Sequence, residues 1–409
     1  MFDHVPRVAI LHQGCVPNYR DAFYRRLAAI SNRRYVVFHG DPEPGSGVVA
    51  AAQPYAFAHV PVRNRFLKIA GRTLVYQPVF SRIAWRKYDA IVVGHEVKYF
   101  ANIGLVLWFR LLGKPVLFWG FGTGQDAWDE KRGVLGKFFT RLLNRAKASW
   151  TRRASGFMAY TASGAAAVAR AGMPLAHVTV LNNTIDLDAE IAGHARALGF
   201  DRSELRREFG IAPDATVFTF VGRLLAGKKV EELIRAVRKI RRGNSSTDIE
   251  VLIVGGGPEQ VRLEAEATGD AWCHFLGAVH DTEAISRIFR ASDALAIPGY
   301  VGLAVNRGFA HGLPVITIRS DWHSPEIDYV RHGVNGLILA AGENFEDGLA
   351  QFAADPDFRA HLRQGALATR ETLDLGRMVA AFDGAVAEAL AREDKAKNLS
   401  RISVKQPEP

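Results

Sequence analysis

Twelve short apolar runs, six in each half of the chain, constrain this sequence more than any other feature. They are residues 8–11, 35–38, 90–93, 116–119, 156–160 and 178–181, then 217–221, 251–254, 273–276, 294–297, 315–318 and 336–339. Each is rich in Val, Ile, Leu or Phe, ends in Gly or polar residues, and leads into a helical pattern. Short continuous apolar runs of this kind are how parallel strands buried on both faces read. Amphipathic stretches at 21–30, 229–240, 259–267 and 282–291 fill the intervals. Strand–helix alternation repeated in two halves predicts an α/β chain of two doubly wound domains. The expected division is 1–187 and 188–375, with the hinge near 182–193. No strand is expected after 339; helices are expected at 345–354, 357–369 and 376–391. The stretch 376–397 is expected to return to the first domain, and 398–409 to fray.

Charge is divided unevenly over this frame. The net +10 of the chain resolves into +15 for residues 1–187 (25 Lys and Arg against 10 Asp and Glu) and −5 for residues 188–409 (27 against 32). A basic half joined to an acidic one points the first toward a polyanion: nucleic acid, an anionic membrane surface or a phosphorylated substrate. Two cysteines, Cys15 and Cys273, are too few for a disulfide framework, which suits a reducing compartment. The start of the chain lacks a signal-peptide pattern. The most apolar region, 101–122, is interrupted by Arg110 and Lys114 and falls short of the ~18–20 apolar residues of a membrane span. A cytoplasmic protein, with membrane contact only at its surface, is expected.

Three segments of the second half carry candidate chemistry. In Phe220-Val221-Gly222-Arg223 a strand ends in glycine, and Arg223 follows at the carboxyl edge, where open α/β sheets bind ligands. Lys228 stands five residues on, at a helix start that itself favours anions. A planar guanidinium fork beside an ammonium suits a diphosphate. Gly255-Gly256-Gly257 is a glycine turn without the G-x-G-x-x-G spacing, which disfavours a dinucleotide-dependent oxidoreductase. Gly299-Tyr300-Val301-Gly302-Leu303 opens a third helix, where backbone N–H groups could receive an anion.

Taken together, Gly222-Arg223-Leu224 with Lys228, Leu276-Gly277, Gly302-Leu303, Gly312-Leu313-Pro314-Val315, and Pro325-Glu326 followed by Gly333-Val334-Asn335-Gly336 resemble the C-terminal domain of retaining glycosyltransferases of family 4. Those enzymes have the GT-B fold, two Rossmann-like domains facing across a cleft. The match spans about residues 216–340. In the first half the resemblance is looser, resting on His12-Gln13-Gly14, Tyr19-Arg20, Trp119-Gly120 and Asn183-Thr184-Ile185-Asp186.

The resemblance implies a nucleotide-diphosphate sugar as co-substrate, no other cofactor, no metal, and a saccharide or lipid-linked acceptor. Arg223, Lys228, Gly302 and Leu303 would meet the donor diphosphate. Gly14, Gly222 and Gly299 would lie in donor loops, Gly277, Val279 and His280 beside the base, and Tyr19 and Arg20 on the acceptor side. Two glutamates usual in the family are replaced by Gly299 and Arg307, and a histidine by Phe121. Stand-in candidates for catalysis are His95, Glu96 and Arg307. Glu326 reads as a helix cap.

Asp186-Leu187-Asp188 has the Asp-x-Asp form of metal-dependent transferases but falls at the domain crossover, where a structural role is expected. The basic residues Arg63, Arg65, Lys68, Arg72, Arg82, Arg86, Lys87, Lys137, Arg141, Arg145, Lys147, Arg152 and Arg153 accompany Phe138, Phe139, Leu142, Leu143 and Trp150. By the same resemblance they would meet an anionic membrane at the inner face of the cell membrane. No nucleic-acid module is present. A catalytically degenerate binding subunit and a nucleotide-sugar epimerase of the same fold remain alternatives.

Overall fold

The computed structural model describes residues 4–403 except 12–13, 31, 47, 70–71, 81, 84–86, 97, 100, 123–144, 146, 244–247, 322 and 341–344, with backbone alone at 69, 72, 101 and 399–403. The chain forms two units, one of residues 1–185 with 375–409 and one of residues 186–374.

Among the described residues the first unit is built on a seven-stranded parallel sheet. Its strands are β1 (Arg7–Leu11), β2 (Arg34–His39), β3 (His59–Pro61), β6 (Ala90–Gly94), β7 (Val116–Gly120), β8 (Gly156–Ala159) and β9 (Val178–Val180), in the order β3-β2-β1-β6-β7-β8-β9. The intervening β4 (Arg65–Ile69) and β5 (Arg72–Tyr76) form a separate antiparallel hairpin. The second unit has β10 (Thr216–Val221), β11 (Ile249–Val254), β12 (Cys273–Gly277), β13 (Ala294–Ala296), β14 (Val315–Ile318) and β15 (Gly336–Leu339), in the order β12-β11-β10-β13-β14-β15. β6, β7, β10 and β11 are buried along their whole length, which is why they read as unbroken apolar runs rather than alternating ones.

Each sheet reverses direction beside its first strand, between β1 and β6 and between β10 and β13. Strand order of this kind opens a crevice outside the carboxyl ends of the two diverging strands. In the second unit that crevice is bounded by the segments after β10 and β13. The helix after β10, Val230–Gly243, buries Val230, Leu233, Ile234, Val237 and Ile240, a 3-4 spacing that puts one face on the sheet. Glu231 and Glu232 in its first turn and Arg241 and Arg242 in its last complement its dipole.

The final helix, Leu375–Ser403, packs in the first unit and is longer than the sequence pattern suggests: it continues through 398–403, where fraying was expected. Met378, Phe382, Val386 and Ala389 form its buried stripe. The Phe382 ring lies 5.1 Å from Trp119 and 5.3 Å from Phe23, and Asp383 accepts from the Tyr35 hydroxyl (2.7 Å) and the Arg33 guanidinium (2.8 Å). Each large apolar side chain buried there contributes roughly 1.5–3 kcal/mol.

Candidate functional site

Two loops interlock at the carboxyl edge of the second unit. After Gly222 the chain runs through Arg223 into a single 3-10 turn, Ala226–Lys228. The Gly299 N–H donates to the Lys228 carbonyl (2.9 Å) and the Tyr300 N–H to that of Gly227 (3.2 Å). Contact is backbone to backbone: a Cβ on Gly299 would lie 2.1 Å from the Gly227 carbonyl oxygen and 2.7 Å from the Lys228 Cα. A side chain at 299, including the carboxylate usual in the resembling family, therefore has no room unless this loop moves.

Lys228 is the centre of the arrangement. Although it lies on a surface turn, it is only 7% exposed. Its ammonium donates to the carbonyls of Tyr300 (2.7 Å) and Val301 (3.0 Å) and lies 4.1 Å from the Tyr300 ring centroid. An ammonium has three N–H donors; two are held by the loop, leaving one among the described contacts. Burial pulls the Lys228 pKa down to about 8, against the pull of the buried Glu326 carboxylate. Glu326, expected as a helix cap, lies in the first turn of the 3-10 helix Pro325–Tyr329, whose N-cap is Ser324, and its charge favours the protonated form of Lys228.

Arg223 is half-buried beside Tyr300 and has no ion pair or hydrogen bond among the described residues. An unpaired guanidinium and a desolvated ammonium flank the same loop, a combination that can receive an oxyanion. Gly302 takes φ = 73°, a left-handed conformation that favours glycine. Its N–H donates to Ser324 Oγ at 2.6 Å, so the anion contact expected of that group is replaced by an internal bond. Leu303 caps the helix Ala304–Ala310. Gly277 ends β12 with its carbonyl accepting from Gly255 N–H (2.8 Å), Val279 is half-buried and His280 is exposed.

Arg307 faces elsewhere than expected. Its Nε lies 2.8 Å from Glu190 Oε1, on the helix Asp188–Ala197, and the other Glu190 oxygen lies 3.1 Å from His311 Nε2. Despite its burial, the Glu190 carboxyl is held below the usual range by His311 and Arg307. Glu190 and Arg307 are more than a hundred residues apart, so no local pattern announced the pair.

In the first unit, several expected site residues are enclosed by the fold. Gly14 donates to the Tyr99 hydroxyl (2.8 Å) and accepts from Asn64 Nδ2 (2.9 Å). Tyr19 is half-buried, whereas Arg20, expected to face an acceptor, is 2% exposed. The Arg20 guanidinium donates to Asn183 Oδ1 and to the Thr184 carbonyl (3.3 Å), and lies 5.2–5.7 Å from the rings of Trp119, Tyr19 and Tyr160. It ties chain segments together.

His95 is also buried, between Phe118 and Phe157, with Nε2 2.8 Å from Thr151 Oγ1. Burial pushes its pKa down to about 3, with the Lys147 charge adding to the effect. It is therefore neutral at neutral pH. Glu96 pairs with Lys98 at 3.0 Å. His95 and Glu96 border a cavity of about 280 Å³ with Ile103, Phe118 and Trp150. Phe121 is exposed, edge-on to Tyr160 at 4.8 Å.

Asp186 accepts the Asp188 N–H at 3.2 Å, and among the described residues no three His, Cys, Asp or Glu side chains cluster as metal ligands would. Of the basic residues, Arg63, Arg65, Lys68, Arg82, Lys87, Arg145, Arg152 and Arg153 are exposed and Lys147 is half-buried. Arg86, Lys137, Phe138, Phe139, Arg141, Leu142 and Leu143, the side chain of Arg72, and His12 and Gln13 lie outside the described residues. No helix among the described residues is long and apolar enough to cross a membrane.

Comparison with known proteins falls on the same unit. Residues 201–368 match the family described as glycosyl transferases group 1. The D-inositol 3-phosphate glycosyltransferase of Actinosynnema mirum is 30% identical over 181 residues, 41% of this chain and 43% of that protein. That of Corynebacterium jeikeium is 31% identical over 186 residues, 42% of this chain and 43% of that protein. The chain thus spans less than half the length of these curated relatives. Among solved structures, Anabaena HepE in complex with UDP superimposes with a TM-score of 0.65 at 18% identity, covering 95% of this chain and all of that one. Sucrose-phosphate synthase from Thermosynechococcus elongatus gives 0.64 at 17% identity, covering 98% and 100%. The fold is α/β of the GT-B class, with two Rossmann-like halves.

Proposed function

We propose that the chain is a glycosyltransferase that moves a sugar from a nucleotide-diphosphate donor to a saccharide or lipid-linked acceptor, with retention at the anomeric carbon and without a metal. The observation that carries this reading is the juxtaposition of Arg223, which has no ion pair or hydrogen bond among the described residues, with the desolvated Lys228, which uses two of its three donors, at the carboxyl edge beside the β10/β13 switch point. That the matching family segment, 201–368, contains both residues supports it, as do solved HepE structures holding UDP or UDP-glucose on a similar fold.

When the bond between the sugar and the diphosphate breaks, negative charge collects on the departing diphosphate. Arg223 would meet it with a planar fork and Lys228 with the remaining N–H. Fixed charges in a water-poor site need little reorganisation at that moment, which is what lowers the barrier. The acceptor would be received by the basic first unit. Its exposed arginines and lysines support a place at an anionic membrane surface on the cytoplasmic side, in surface polysaccharide or glycolipid assembly.

A second reading has its own observation. With no room for a side chain at Gly299, and with Arg307 bound to Glu190, the positions of both usual glutamates are closed to a carboxylate role. That favours a degenerate subunit which binds sugar nucleotide without turning it over. Calorimetry with UDP, GDP and their sugars tests both readings. Binding is expected for one base; failure to bind any nucleoside diphosphate would overturn both, and binding without transfer to any acceptor would leave the subunit.

A further inference from the structure

In the first unit the helix Ala101–Leu111 is apolar on both faces. Leu105, Val106 and Phe109 are buried in the core, as the inner face of a surface helix should be. The outer face is not polar in return. Ile103, Leu107 and Leu111 stand four residues apart, on one stripe, and are 45%, 47% and 80% exposed. Leu112 follows, also exposed. Phe80 widens the patch: it is exposed, and a Cβ on Gly104 would lie 3.8 Å from its ring. Arg110 is the one charged residue of the eleven, and its guanidinium is tied to Ser155 and Glu393. A helix that is apolar all round belongs in a core or against lipid, and only one half of this helix has the core.

The surroundings of the patch are basic. Residues 61–118 carry ten Lys and Arg against two acidic residues. Arg82, two positions past Phe80, is exposed and donates to the Pro61 carbonyl (3.1 Å), close in the chain to the exposed Arg63. At the other end of the helix a Cβ on Gly113 would lie 3.3 Å from the Lys397 Cε of the final helix, and Lys114 follows. Nearby carboxylates are paired or outnumbered. Glu393 serves Arg110, Glu96 serves Lys98 (3.0 Å) and Asp89 meets His4 (3.0 Å), while Asp394 shares the exposed end of the final helix with Lys395 and Lys397.

These charges choose between the occupants an apolar stripe admits. A second copy of the chain would bring two basic rims together, whereas an anionic bilayer meets the stripe with hydrocarbon and the rim with phosphate. Eleven residues make a helix of about 16 Å, far short of the ~30 Å of a hydrocarbon core, so it would lie in the plane of the interface.

We propose that the outer face of this helix, with Phe80, inserts into the surface of an anionic membrane while its basic rim binds the lipid headgroups. The inference rests on the membrane placement proposed above, not on sugar transfer. Flotation of the full chain with phosphatidylcholine vesicles, pure or half phosphatidylglycerol, tests it. Wild type should bind the anionic vesicles at low salt. It should keep part of that binding in 1 M NaCl, where the Debye length is ~3 Å, because leucine insertion is not screened.

Leu107→Gln combined with Leu111→Gln should weaken low-salt binding about tenfold or more and abolish binding in 1 M NaCl. Leu111→Gln alone, at the most exposed position, should act in the same direction with the melting temperature of wild type. Val261→Gln, which changes an exposed apolar residue of the second unit, should alter neither binding nor melting. Equal binding by wild type and both glutamine variants would overturn the inference and leave the membrane to the arginines. No binding of wild type to any vesicle would overturn the membrane placement as well. A wild-type dimer in sedimentation that the double variant abolishes would put a second copy on this face and overturn the inference too.

Discussion

The two units share one architecture, yet the polar residues at the carboxyl edges of their sheets have opposite fates. In the first unit Gly14, Arg20 and His95 are closed in by Tyr99 and Asn64, by Asn183 and three aromatic rings, and by Thr151 with Phe118 and Phe157. In the second, Arg223 has no ion pair or hydrogen bond among the described residues, and Lys228 uses two of its three N–H donors in the contacts described. The difference teaches that position at the favoured edge of an α/β sheet is not enough. What separates the two arginines is enclosure: Arg20 is 2% exposed and bonded to Asn183 and the Thr184 carbonyl, whereas Arg223 is half-buried with no ion pair or hydrogen bond among the described residues.

The largest effect should come from the enclosed residue. Arg20→Ala removes the guanidinium from its aromatic surroundings together with its bonds to Asn183 and the Thr184 carbonyl, a loss of about 3 kcal/mol or more in urea unfolding. Nucleotide binding by whatever protein remains folded should be unaffected. If Arg20→Ala instead folds normally and loses only acceptor turnover, the contrast between the units breaks.

Lys228→Met should do the reverse, weakening nucleoside-diphosphate binding by about 10- to 100-fold, since a charge-assisted contact is worth roughly 1.5–3 kcal/mol. It also has a pH signature. With a native pKa of about 8, below the ordinary lysine value, the unfolded chain holds more protons than the native one between about 8 and 10.5. Wild-type stability should therefore gain a component that rises with pH across that window, and the Met variant should lack it. Parallel stability curves for the two proteins would mean that Lys228 is not desolvated.

Much of this fold was legible because its strands are buried on both faces. The twelve apolar runs correspond to β1, β2, β6 to β9, and β10 to β15. What escaped was structure without that signal. β3, His59-Val60-Pro61, has no continuous apolar run and is not fully buried, and the β4–β5 hairpin carries Arg65, Lys68 and Arg72, so it read as a basic run. The site was half legible. Arg223 and Lys228 announced themselves by following a strand end, but the burial of Lys228 depends on Tyr300, Val301 and Glu326, some 70–100 residues away. The same holds for Glu190 with Arg307, and for Arg20 with Asn183: long-range closure of hydrogen bonds leaves no local pattern.

The loop contact that buries Lys228 can be loosened in two steps. Gly299→Ala forces a methyl against the Gly227 carbonyl and should destabilise the protein by about 2 kcal/mol, while weakening nucleotide binding through Lys228. Gly299→Glu should be no better, despite supplying the missing carboxylate; a gain in transfer rate would show that the loop yields. Gly302→Ala asks for less. It places a Cβ in the left-handed region and 3.5 Å from Lys228 Nζ, ordinary contact, so about 1 kcal/mol of stability should be lost.

The smallest effect should lie where the chain passes between the units. Asp186-Leu187-Asp188 has the spacing of a metal-binding pair, but Asp186 Oδ1 accepts the Asp188 N–H just before the helix Asp188–Ala197, the local turn that Asp and Asn both make. Asparagine keeps that acceptor and removes the charge a divalent cation would need. Asp186→Asn should change stability by less than ~0.5 kcal/mol and leave transfer unaltered, and EDTA should have the same lack of effect on wild type and variant. A chelator-sensitive wild type matched by an inactive Asp186→Asn would move the chemistry from the Arg223–Lys228 loop to the crossover, and with it the division of roles between the two units.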